Sequence, residues 1–149
     1  MTGFTSFDDY LALSRITGLT SSLDGSRLVA TVADLNDDGD KFVSALWEID
    51  PAGAAAPRRL TRSDEGESAP AFHPDGSVLF VSKRGGEEDD PPALWRLPAA
   101  GEAERLLTRP GGVATVQVAR TAGSVVLSTT ALPGSVGADE DEKRRKGRK

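Results

Sequence analysis

The chain has 149 residues and a mass of 15.6 kDa, enough for one ordinary domain, with 38% hydrophobic residues and a net charge of −5. It has no cysteine and one histidine, which excludes a disulfide scaffold, a thiolate metal site, a cysteine nucleophile and any multi-histidine metal centre built within the chain. Its 16 Gly and 9 Pro favour turns over long helices, and no apolar run approaches the ~18 residues of a membrane span.

From the N-terminus, Met1 to Tyr10 shows neither the basic nor the apolar region of a secretory leader, so a cytoplasmic chain is expected. Ser6 to Leu13 alone has a helix signature, with Ser6 placed to cap and Asp8 and Asp9 near the positive end of the dipole. Short strands follow at Thr17 to Leu23, at Leu28 to Ala33, around Trp47, and at Arg58 to Arg62. The Asp24-Gly25 turn joins the first two, and Pro51 with Gly53 ends the third.

The same order then returns. Asp24-Gly25-Ser26-Arg27-Leu28-Val29 aligns with Asp75-Gly76-Ser77-Val78-Leu79-Phe80 at an offset of 51, Ala45-Leu46-Trp47 with Ala93-Leu94-Trp95 at 48, and Leu60-Thr61-Arg62 with Leu107-Thr108-Arg109 at 47. A third copy starts with a strand at Ala114 to Ala119, and Gly123-Ser124-Val125-Val126-Leu127 opens its second strand. Four strands per ~40–50 residues is the period of a β-propeller blade. The expected fold is therefore all-β, with antiparallel four-stranded blades. A lead segment with its short helix covers 1–16, blade 1 covers 17–66, blade 2 covers 67–113, a partial blade 3 covers 114–138, and a charged tail or loop covers 139–149. Closed propellers use about 4–8 blades, and about two and a half are present, so this reads as part of an incomplete ring whose open blade edge invites self-association.

Charge is uneven. The last eleven residues hold four acids and six bases, a net of +2 that leaves −7 on the rest. An acidic body argues against nucleic-acid binding.

Phe72-His73-Pro74-Asp75-Gly76-Ser77, Leu79-Phe80-Val81-Ser82, Leu94-Trp95-Arg96-Leu97 and Arg105-Leu106-Leu107-Thr108 together resemble the TolB-type, WD-like propeller repeat. Phe7-Asp8-Asp9-Tyr10-Leu11, Val43-Ser44-Ala45-Leu46-Trp47-Glu48 and Asp141-Glu142-Lys143-Arg144-Arg145-Lys146, in that order, resemble the start of acylaminoacyl-peptidase-like serine peptidases of the prolyl oligopeptidase family. The resemblance implies a propeller followed by an α/β-hydrolase domain bearing Ser, Asp and His, with the propeller screening peptide substrates. The runner-up is a TolB-type scaffold that works through protein contacts.

Nothing in the chain supplies the catalytic part. A nucleophile elbow needs Gly-x-Ser-x-Gly, and the nearest stretch, Gly66-Glu67-Ser68-Ala69-Pro70, lacks the second Gly. His73 reads as a turn or strand-edge residue rather than a base. No catalytic residue, cofactor or membrane contact is expected. Asp34, Asn36, Asp38 and Asp40 match the first half of a calcium loop, with Gly39 at its sharp turn, but Ala45 stands where the bidentate Glu belongs. A solvated hairpin loop is the preferred reading, with calcium the weak alternative. Glu87-Glu88-Asp89-Asp90 forms a second acidic loop at the matching place. Trp47 and Trp95 are expected to pack between adjacent blades, and the basic end is expected to be a solvated loop.

Overall fold

The computed structural model describes residues 6–87 and 89–148. Met1 to Thr5 of the lead segment, Glu88 of the second acidic loop and Lys149 of the tail lie outside the described residues. Helix α1 (Phe7–Leu11) begins as expected, at a reciprocal cap: the Asp9 amide donates to Ser6 Oγ and the Ser6 amide to the Asp9 carboxylate, each at 3.1 Å.

Two four-stranded antiparallel sheets follow. The first is β1 (Arg15–Ser21), β2 (Leu28–Leu35), β3 (Phe42–Ile49) and β4 (Arg58–Arg59), and the second is β5 (Glu67–Phe72), β6 (Val78–Ser82), β7 (Ala93–Leu97) and β8 (Glu104–Leu107), each paired in chain order. A third, two-stranded sheet pairs β9 (Thr115–Val118) with β10 (Val125–Ser128). The repeated Asp-Gly-Ser works the same way twice. Asp24 Oδ1 accepts from the Ser26 amide (3.0 Å) and hydroxyl (2.8 Å), Asp75 Oδ1 from the Ser77 amide (2.9 Å) and hydroxyl (2.6 Å), while Gly25 (φ 72°) and Gly76 (φ 84°) take the left-handed turn. These bonds hold Asp24 down at a pKa of about 2 and Asp75 lower still, the Ser22 hydroxyl leading at Asp24 and the Ser77 hydroxyl at Asp75.

The register corrects the sequence alignment by one residue. Leu28 faces Ile49 and Val78 faces Leu97, so Leu28 matches Val78, not Leu79. The first turn is longer, closing from the Ser22 amide to Arg27 O where the second closes from the His73 amide to Ser77 O. Arg27 is the added residue. Side chains alternate across a strand, so this single insertion decides which face each β2 residue takes.

The sheets pack face to face. Val29 and Leu46 of the first sheet join Phe72, Val78, Phe80, Ala93 and Trp95 of the second in one buried cluster. The opposite face of the second sheet, with Leu79, Val81 and Leu94, packs on Val113, at the end of the second unit, and on Val116 of β9. Trp95 thus lies between blades, as expected. Trp47 is paired with Ala30 and shares its face with Ile16 and Leu19, which are 68% and 65% exposed. That face points away from the second sheet, and the buried Trp47 indole N–H has no hydrogen-bond partner among the described residues.

The expected tail at 139–149 is instead mostly helix. Helix α2 (Ala138–Lys146) has acids in its first turn and bases in its last, which complements the helix dipole. Three acid-to-base pairs at i, i+4 reinforce it: Glu140–Arg144, Asp141–Arg145 and Glu142–Lys146. Asp141 is buried and also accepts from the Leu132 amide at 2.6 Å, tying the preceding loop to the helix. Arg145 first, then that amide, keeps its carboxyl ionised below the usual range. The order of the charges, acids before bases at i, i+4 spacing, makes this segment a helix rather than a solvated loop.

Phe80 is fully buried at the centre of the inter-sheet cluster. Phe80→Ala is expected to lower stability by about 3–5 kcal/mol, measured by urea unfolding, whereas Val126→Ala, on an exposed residue, is expected to shift it by less than about 0.5 kcal/mol.

Candidate functional site

Antiparallel order gives the stack two ends. The tight turns 22–27, 73–77 and 119–124 gather at one, and the longer β2–β3 and β6–β7 loops, with the connections between sheets, gather at the other.

At the turn end the sheets are stitched together. Arg27 donates to Gly76 O (2.9 Å) across the interface, lies over the Phe72 ring (5.2 Å) and pairs with Glu48. Burial pushes the Glu48 carboxyl up, but Arg27 and Arg58 together hold it below its ordinary value. Arg120 of the third unit donates to Ser22 O (3.3 Å). His73, Asp75 and Ser77 do meet in this turn, in an order that cannot activate a nucleophile. Both His73 Nδ1 (2.9 Å) and Ser77 Oγ (2.6 Å) address Asp75 Oδ1, so the carboxylate sits where an imidazole must take the serine proton. A Cβ at Gly123 would stand 2.8 Å from His73 Nε2, so the ring is also wedged against the third unit. His73 is a structural turn residue. Ser68, in the stretch nearest to an elbow motif, is exposed on strand β5 rather than on a strand-to-helix elbow.

At the loop end, Asn36 organises the first acidic loop from within. Its Oδ1 accepts from the Asp40 and Lys41 amides (3.1 Å each), its Nδ2 donates to Asp40 (2.9 Å), and Asp34 accepts from Ser14. Among the described residues no three carboxylate or imidazole groups are gathered as a metal would need. Beside this loop lies a group that the sequence did not signal. Glu67 is buried (1% exposed) at the start of β5, where Thr61 Oγ1 donates to it (2.8 Å) and so does the Ser63 amide (3.2 Å). Thr61 Oγ1 also accepts from the Leu46 amide (2.9 Å), so one relay runs from β3 through the connecting segment into the second sheet. Gly66 permits this by turning at φ 78° with its Cα edge against Ser44, where a Cβ would sit 3.2 Å from the hydroxyl.

The first strands of the three units are in contact in succession, β1 with β5 and β5 with β9, and both β1 and β5 carry a bulge, at Ile16/Gly18 and Ser68/Ala71. Pro70 fills the second bulge and lies 3.9 Å from where a Cβ on Gly18 would stand. Among the described residues no helix is long and apolar enough to cross a membrane.

No family model matches the chain. It is 28% identical to the uncharacterized peptidase YuxL of Bacillus subtilis over 139 residues, 91% of this chain but 20% of that protein. A solved structure described as TolB, from Agrobacterium tumefaciens, superposes with a TM-score of 0.59 at 22% identity, over 79% of this chain and 39% of the other. The AtxE2 isopeptidase, solved as a serine-to-alanine variant with astexin3-dC4 bound, superposes at 0.53 and 16% identity, over 72% of this chain and 21% of the other. The chain thus spans well under half of each of these proteins. The fold is that of a β-propeller segment with a peptidase-related sequence.

Burial raises the Glu67 pKa above that of a free glutamate, with Thr61, Ser63 and the Arg84 guanidinium opposing it. The folded state then holds the proton at pH values where the unfolded chain has released it, so Glu67 stabilises most below about pH 4.5 and less as pH rises above that value. In Glu67→Gln this dependence is absent. Chemical denaturation from pH 4 to 7 is expected to show wild type losing stability relative to the variant as pH rises, and a flat difference would contradict the raised pKa.

Proposed function

We propose that this chain is the non-catalytic propeller part of a serine peptidase of the prolyl oligopeptidase family, acylaminoacyl- or dipeptidyl-peptidase-like, working with a hydrolase domain that lies outside these 149 residues. The observation that carries the reading is the match to a peptidase along 91% of this chain and only 20% of the relative. In this reading the face bearing Ile16, Leu19 and Trp47 packs against a further blade, as the Trp95 face does against the first sheet. With the ring complete, β1, β5 and β9 surround an axial passage, and a stack stitched at its turns admits only narrow, unfolded peptides to the distant triad. Substrate selection then follows from width rather than from any catalytic group here.

A TolB-type scaffold is the second reading, favoured by the higher structural similarity to TolB. Reading the gene onward from Lys149 separates the two. The peptidase reading expects a Gly-x-Ser-x-Gly elbow downstream, with Asp and His after it. A stop codon there, or further repeats ending without that elbow, would overturn it in favour of the scaffold. The purified 149-residue chain is expected to release no product from an acyl-amino-acid anilide, and turnover abolished by a serine reagent would contradict the assignment of catalysis elsewhere.

A further inference from the structure

At the loop end of the second sheet, a cleft of about 980 Å³ opens between the β6–β8 end and helix α2. The chain as a whole is acidic, at −5, yet the described lining inverts that sign: seven Lys and Arg face four Asp and Glu. Two of the four acids are engaged within the chain. Asp90 accepts the Glu87 amide (3.1 Å), and Glu142 pairs with Lys146 (2.6 Å). Arg145 is likewise used in the structure, held by Asp141 (2.7 Å) and Thr130 O (3.1 Å), and it fixes the helix wall.

Arg84 pairs with Glu67 (3.8 Å), and four lining cations remain: Lys83, Arg105, Arg109 and Arg148 make no side-chain hydrogen bond or ion pair among the described residues. Arg105 is steadied by the Trp95 ring, 6.0 Å from its centroid. Arg109 is half-buried, and a partly desolvated guanidinium without a counter-charge is unfavourable unless an anion arrives. Pro91, Pro110 and Leu132 give the wall an apolar part. Among the described residues no aromatic side chain lines the cleft, so they offer no stacking platform of the kind single-stranded nucleic acid uses, and the acidic surface around it repels a long polyanion.

We propose that this cleft binds a short acidic peptide segment, its carboxylates taken by Arg105, Arg109 and Lys83 and an apolar side chain resting on the prolines. This holds for a peptidase propeller and for a scaffold alike, and so it stands apart from the reading above.

The test is fluorescence anisotropy on the full chain with three probes: a fluorescein-labelled Glu/Leu peptide, the same peptide with Lys for Glu, and an oligo-dT strand. The acidic peptide is expected to bind saturably and to weaken as salt rises, with the other two much poorer. Arg105→Glu with Arg109→Glu is expected to weaken it by about tenfold or more, while Arg62→Glu, on an exposed residue outside the cleft, leaves it unchanged. Lys83→Glu, at an exposed position, carries the same expectation in direction should the double variant lose its native circular dichroism. Absence of saturable binding, tighter binding of oligo-dT, or equal affinity in the folded charge-reversal variants would each overturn the proposal.

Discussion

The molecule depends on apolar contact between the faces of successive sheets. A four-stranded sheet of this length cannot bury both its faces alone, and the second sheet succeeds because it has a neighbour on each side. Trp95 and Phe80 fill the gap to Val29 and Leu46, and Leu79, Val81 and Leu94 fill the gap to Val113 and Val116. The polar devices act on that packing. Gly66 and Glu67 fix how the chain leaves one sheet for the next, and Arg27 fixes the spacing of the turns at the opposite end.

Much of this was legible in the sequence, because the repeat is written in residues whose local chemistry is strong. Asp-Gly-Ser closes a turn wherever it occurs, and the apolar, β-branched run after it has one sensible partner. The strand count, the blade order, the Ser6 cap and the position of Trp95 all follow from such signals. The alignment slipped by one residue at Arg27, because letter matching favours Ser over Ser while the register obeys the hydrogen bonds beyond the turn. Helix α2 was missed because its stability lies in charge spacing, not in an apolar stripe. Glu67 gave no signal. A carboxylate at the start of a strand is ordinarily solvated, and only the fold buries this one, with Thr61 and Ser63 turned onto it from the preceding segment and Thr61 held by the Leu46 amide.

The site chemistry follows the same division between local and global. His73, Asp75 and Ser77 have the three side-chain types of a hydrolase triad within five residues, yet the turn that gathers them puts the aspartate in the middle. The calcium-like loop is folded by its own asparagine. What the chain offers a partner is instead shape and charge: a stack of sheets with an inner edge, and a basic cleft on an acidic body.

The first and second sheets pack face to face through a cluster that holds Trp95. Isotope-edited NMR on the chain tests it directly, by looking for nuclear Overhauser contacts from the Trp95 ring to the methyl groups of Val29 and Leu46. Cross-peaks to at least one of these methyl groups are expected, in a well-dispersed spectrum. A dispersed spectrum in which the Trp95 ring meets neither methyl group would contradict that packing.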